Sequence, residues 1–96
     1  MEFEWNPAKD RSNRRKHGVS FEEVQRLFES GVDYLEIYDA EHSETEDRFL
    51  AIGPIDRGIV VVVYTEREEG RFRIIGARLA TRREQHLYYS HKDRSR

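Results

Sequence analysis

Apolar residues change their spacing sharply near the middle of this 96-residue chain. Phe21, Val24, Leu27 and Phe28 recur at three- and four-residue intervals, the mark of a helix with one buried stripe. Ser20 opens that helix with a capping box to Glu23, Val19 and Val24 are placed to staple its start, and Gly31 ends it. Beyond Gly31 the pattern shortens to β-prone runs at Tyr34–Tyr38, Asp47–Ile55, Gly58–Thr65 and Arg71–Arg78. Turns at Asp56-Arg57-Gly58 and Glu68-Glu69-Gly70 join them into a predicted antiparallel meander, with consecutive strands as neighbours. The run Ile59–Tyr64 (IVVVVY) is apolar at every position, so it should be covered on both faces and lie at the centre of the sheet.

The two ends of the chain are polar and helical in pattern. Phe3–Trp5 reads as a short strand, and Asn6 then caps a helix that has Pro7 at its first position and stops at Gly18. With the Ser20 helix it forms a predicted helical hairpin. Thr81 and Glu84 repeat the capping-box spacing, predicting a last helix over about Arg82–Tyr89, with the tail from about residue 90 frayed. The fold expected is thus a single α+β domain over residues 1–96. Three helices must either divide between the faces of the sheet or leave one face to a partner or to long side chains of neighbouring strands.

The absence of cysteine excludes disulfides, thiolate metal sites and cysteine nucleophiles, and it fits a reducing cytoplasm. No apolar run reaches the roughly 20 residues that span a bilayer, and the charged start lacks the apolar stretch of a signal peptide. The net charge of −2 hides a strong asymmetry. Residues 1–20 carry five basic and three acidic side chains, residues 21–66 three and twelve, and residues 67–96 nine and four. If the two terminal segments meet, they make one basic face on an otherwise acidic molecule, suited to phosphates.

If the phosphates such a face binds belonged to an RNA cut without a metal, the reaction would need a group to take the 2′-hydroxyl proton, positive charge for the phosphorane, and a proton for the departing 5′-oxygen. Arginine suits the second task, because its planar fork engages two phosphate oxygens and keeps its charge. Arg78, Arg48 and Arg73 fall on adjacent or nearby strands and are candidates for such a clamp. Strict alternation places Arg73 and Arg78 on opposite faces unless a bulge intervenes. Arg78 has a structural alternative, pairing with Glu84. Lys9, Lys16 and Arg82 are further basic residues suited to RNA contact. Proton transfer can be served by His17, Glu84, Lys16, Lys9 or Tyr88. His17, in the last turn before Gly18, and Glu84, at its capping-box position, have plain structural roles as well. Trp5 is suited to stacking on a base or to packing against the second helix.

A metal site is a poor fit. Asp39, Glu41, His42, Glu44, Glu46 and Asp47 cluster within nine residues, but a calcium loop starting at Asp39 would have Glu44 where Gly is needed and Leu50 where Glu is needed. His86 and His91 are five apart, which does not place two ligands on one helix face. No metal or cofactor is expected, and the acidic loop reads as solvated or as a dock for a basic segment of a partner.

Phe3-Glu4-Trp5, the Lys9 and Asn13 spacing, Lys16-His17-Gly18, Ser20-Phe21-Glu22-Glu23, Asp47-Arg48-Phe49 and Ile74-Ile75-Gly76-Ala77-Arg78 together resemble the BrnT-type toxins. Asn6 stands where that family usually has Asp, and Gly76 where Ser is common. The resemblance implies a fold related to RelE and an endoribonuclease toxin of a bacterial type II toxin–antitoxin pair. It also implies growth inhibition by RNA cleavage, and a cognate ribbon-helix-helix antitoxin of the BrnA type. Operator DNA would be bound only through that antitoxin, in a hetero-oligomer. The alternative from another class is a non-catalytic module that holds a DNA-binding partner and tunes its repression. A degenerate, inactive toxin is a third reading.

Overall fold

The computed structural model describes residues 1–94. Five strands form one sheet: β1 (Glu2–Glu4), β2 (Leu35–Tyr38), β3 (Phe49–Ile55), β4 (Gly58–Glu68) and β5 (Arg71–Leu79). Three α-helices accompany them, α1 (Pro7–His17), α2 (Phe21–Glu29) and α3 (Arg82–Arg94), with one 3-10 turn at Ala40–His42. The spatial order is β1-β5-β4-β3-β2, so β4, which carries the apolar run Ile59–Tyr64, is central, as that run predicts. Strands β2 to β5 form the expected antiparallel meander. The sheet as a whole is not antiparallel, however, because β1 pairs in parallel with β5 through Phe3↔Phe72. The reason is topological: α1 and α2 follow β1, and only after β2, β3 and β4 does the chain return beside it in the same direction.

The helices divide between the two faces. On one face α2 buries Phe21, Val24, Leu27 and Phe28 against Ala51, Val60, Val62, Tyr64, Ile74 and Ala77. Phe28 sits at the centre of this core, with ring centroids 5.1 Å from Tyr64, 5.2 Å from Tyr34 and 5.5 Å from Phe3. Gly53 is required there, since a Cβ would stand 2.7 Å from Leu27 Cδ1 and 2.9 Å from Tyr34 Cβ. The Tyr64 hydroxyl donates to Glu36, and burial followed by that bond raises its pKa. Trp5 meets Phe21 edge to face, in the packing role. On the opposite face α3 sets Tyr88 over Ile52 and Val61.

The two expectations about helix arrangement need correction. α1 and α2 do follow one another, but each packs on the sheet, α1 against β5 and α2 against β3 and β5. The last helix also continues past Tyr89 to Arg94 instead of fraying at residue 90. His91 Nε2 lies 3.0 Å from Asp33 Oδ2, tying that extra turn to the segment before β2. The remainder of the expected tail, residues 95 and 96, lies outside the described residues. Among the described residues no helix is long and apolar enough to cross a membrane.

Candidate nucleic-acid interface

α1 is built from its ends and one buried asparagine. Asn6 accepts from the Ala8 N–H at 2.8 Å, Pro7 occupies the first turn, and Gly18 closes the helix in the left-handed region at φ 71°. β1 covers the outer edge of β5 only as far as Arg73, which leaves the backbone of Ala77 without a strand beside it. Asn13 takes that place. Its Oδ1 accepts from the Ala77 N–H at 3.2 Å, while its Nδ2 donates to the Ala77 carbonyl at 2.8 Å and to the Val19 carbonyl at 2.9 Å. One side-chain amide thus stands in for a strand and fastens α1 to the sheet edge, satisfying groups that would otherwise be buried unpaired.

The rest of α1 is solvent-facing and basic. Lys9, Lys16 and His17 line a groove with Ser12, Asn13 and Ile75 of β5. Among the described residues, none of the side chains of Lys9, Lys16 and His17 is held by an ion pair or hydrogen bond. The one acid of the helix, Asp10, uses Oδ1 to accept from the Phe21 N–H at 2.9 Å, which orients α2.

Ile75 owes its place to a bulge. Val63 pairs with Gly76 and Tyr64 with Ile74, so β5 carries one extra residue. The bulge reverses the side-chain alternation: Ile74 and Ala77, three apart, both enter the α2 core. Arg73 and Arg78 therefore share the opposite face, contrary to simple alternation. Each has an acidic partner: Arg73 donates to Glu4 at 2.8 Å, and Arg78 donates two hydrogen bonds to the Glu84 carboxylate at 2.6 and 2.8 Å. Glu84 also caps α3, accepting from the Thr81 N–H, while its own N–H donates to the Thr81 hydroxyl. The Arg78 bond, aided by Thr81, holds the Glu84 carboxyl down at about 2. That lowered value favours the ionised carboxylate at neutral pH.

The model of the family described as the ribonuclease toxin BrnT of a type II toxin–antitoxin system matches residues 5–84. The chain belongs to the BrnT family. Among solved structures it resembles the Brucella abortus ribonuclease toxin BrnT at 23% identity and TM-score 0.64, over 85% of this chain and 99% of that one. That likeness concerns the fold. No curated protein matches.

Within this BrnT domain the other expected site residues are scattered. Tyr88 is 2% exposed, and its hydroxyl donates to the Asp33 carbonyl at 3.2 Å, so it anchors α3. Burial, then the Asp33 charge, raises its pKa. Arg48 does not join Arg78 in a clamp. Its side chain lines a hollow with Glu41, His42, Glu44 and Thr45, while its backbone is tied to Ser43 and Asp39. Arg82 begins α3 and is exposed. Among the described residues no three His, Asp or Glu side chains converge as metal ligands would.

Three features escape the sequence pattern. Asn13 was visible only as part of a spacing, because its partner Ala77 is 64 residues away. Arg57, in the β3–β4 turn, bonds both Glu23 oxygens and the Gly18 carbonyl, bracing the junction of α1 and α2. Arg11, Arg14 and Arg15 were visible in the charge count, yet only the helix shows them side by side.

Proposed function

We propose that this BrnT-family chain is a metal-independent endoribonuclease, with a fold related to RelE, that suppresses growth by cutting RNA in the cytoplasm. A ribbon-helix-helix antitoxin of the BrnA type neutralises it in a hetero-oligomer and carries the operator-DNA binding. The observation that supports this reading best is the groove between α1 and the β5 bulge, lined by Lys9, Lys16 and His17, whose side chains have no ion-pair or hydrogen-bond partner among the described residues.

In this mechanism the 2′-oxygen bonds to phosphorus and the 5′-oxygen leaves, giving a cyclic phosphate and a 5′-hydroxyl. His17 takes the 2′-proton and returns one to the 5′-oxygen. Lys9 and Lys16 hold the phosphate that enters the groove, and Arg73 and Arg82 are further contacts along the strand. Arg78, on the other face of β5, is a further phosphate contact, through the N–H groups that its bonds to Glu84 and the Leu79 carbonyl leave over.

The test is cleavage of RNA by purified protein in EDTA, beside His17→Gln and Arg78→Ala, with folding followed by circular dichroism. Wild type should cut, and folded His17→Gln should be slower by about 10²- to 10⁴-fold. If wild type cuts neither free RNA nor RNA on translating ribosomes, the reading fails. The non-catalytic module then gains, supported by the exposed Tyr38 beside the acidic 39–47 loop as a protein-docking surface.

A further inference from the structure

α1 has a second basic side. Arg11, Arg14 and Arg15 stand three and four residues apart, which makes them neighbours on the helix surface, and they line a shallow notch of their own. Helix geometry turns this notch away from the Lys9 and Lys16 groove. All three side chains are exposed. Arg14 has one distant acidic contact, Asp10 at 3.8 Å, and among the described residues Arg11 and Arg15 have none. Arg57, Arg71, Arg73 and Arg78 each lie within 3.0 Å of a carboxylate oxygen; among the described residues Arg26, Arg48, Arg82 and Arg83 have no such partner, but only on α1 do three such arginines line one notch.

Arg14 and Arg15 lie in the last turn of α1, where the helix dipole favours cations, but three like charges at this spacing repel one another and α1 buries no apolar side chain that would offset the repulsion. Unpaired guanidinium forks are well matched to phosphate oxygens, and the acidic stretch 21–66 repels a polyanion from much of the remaining surface. The notch and the groove are also two sides of one eleven-residue helix. That continuity favours a nucleic-acid strand over an acidic protein segment as the occupant.

We infer that Arg11, Arg14 and Arg15 form a second phosphate-binding surface, which holds RNA beyond the groove so that the substrate strand crosses α1. They are positioning residues: they touch phosphates remote from the cleaved bond. The inference rests on the reading of this chain as an RNA-cutting enzyme. A helix with its side chains is about 10–12 Å across. A substrate of about three nucleotides would therefore occupy the groove alone, whereas one of about ten would also reach the notch.

The experiment compares wild type with the triple variant Arg11→Gln, Arg14→Gln, Arg15→Gln, since glutamine keeps helix propensity close to that of arginine. Circular dichroism checks the fold. Binding of uncleavable 2′-O-methyl RNA of both lengths is measured by fluorescence anisotropy across a salt series, and cleavage of the unmodified RNAs gives kcat and KM. The expected result is at least a tenfold loss of affinity for the long RNA, with KM raised and kcat unchanged. Its salt slope should fall by about 2, from roughly 0.7 per released phosphate contact. Turnover of the short RNA should not change. Unchanged binding and slope for the long RNA, in protein that still cuts, would overturn the inference while leaving the enzymatic reading intact. Equal losses for both lengths would also overturn it, as would weakened antitoxin capture with RNA binding untouched. If wild type neither binds nor cuts RNA of either length, both readings fall together.

Discussion

α1 and α2 are adjacent in sequence and rest on the same sheet, yet they are held by opposite means. α2 buries four of its nine residues, all apolar, and its place follows from hydrophobic burial. α1 buries one of eleven, and that one is Asn13. Its attachment rests on three hydrogen bonds from a single amide, on caps at both ends and on the brace from Arg57. The difference separates a helix that builds the core from one that displays charge. A helix without an apolar stripe can devote almost every outward position to Lys, Arg and His, provided one polar anchor fixes it.

The contrast can be broken from either side. Phe28→Ala empties the aromatic centre beneath α2 and should cost about 3–5 kcal/mol, read as a lower urea midpoint for the whole domain. Asn13→Ala leaves the Ala77 N–H and carbonyl and the Val19 carbonyl without partners. It should cost about 2–3 kcal/mol, with faster hydrogen exchange in α1 and at Ala77 than in α2. An unchanged exchange pattern would mean that water replaces the amide and that the anchor is dispensable. Gly53→Ala pushes a methyl into Leu27 and Tyr34 and should cost about 1–3 kcal/mol by overpacking, measured in the same unfolding assay without altering exchange in α1.

The smallest expected effect concerns the pair on the far face. The carboxyl of Glu84 lies at about 2 in the folded protein, against 4.5 for the free side chain. A depressed folded value stabilises fully above about pH 4.5 and is lost as pH falls through about 2. Acid unfolding of wild type should therefore steepen across that window relative to Glu84→Gln. Because the Arg78 side chain is 41% exposed, solvent screens the pair and the difference should be modest.

Much of this arrangement is legible in local pattern. The Phe21–Phe28 stripe, the left-handed stop at Gly18, both capping boxes and the central position of IVVVVY each depend on a few neighbouring residues, and all appear where the sequence predicts them. What local pattern does not carry is long-range pairing. Nothing in Glu2–Glu4 states that it will lie parallel to β5, and nothing in Asn13 names Ala77 as its partner. Ile75 is an ordinary apolar residue in an apolar run, so the bulge that puts Arg73 and Arg78 on one face leaves no compositional trace. The same limit explains Arg48 and Tyr88: their chemistry suits catalysis, but their surroundings, an acidic hollow and a buried helix contact, become visible only in three dimensions.

That single extra residue in β5 also sets a rule for length changes in this strand. The segments on either side of it are regular but out of phase, as two gratings offset by half a period would be. Deleting Ile75 would bring them into phase without turning any later side chain over: Ile74, Gly76, Ala77 and Arg78 would then alternate strictly, with Ala77 still facing the core and Arg78 still on the opposite face. The bulge is therefore the place where β5 can lose a residue and keep its ladder to β4, whereas a slip of one residue in that ladder would turn every later side chain over.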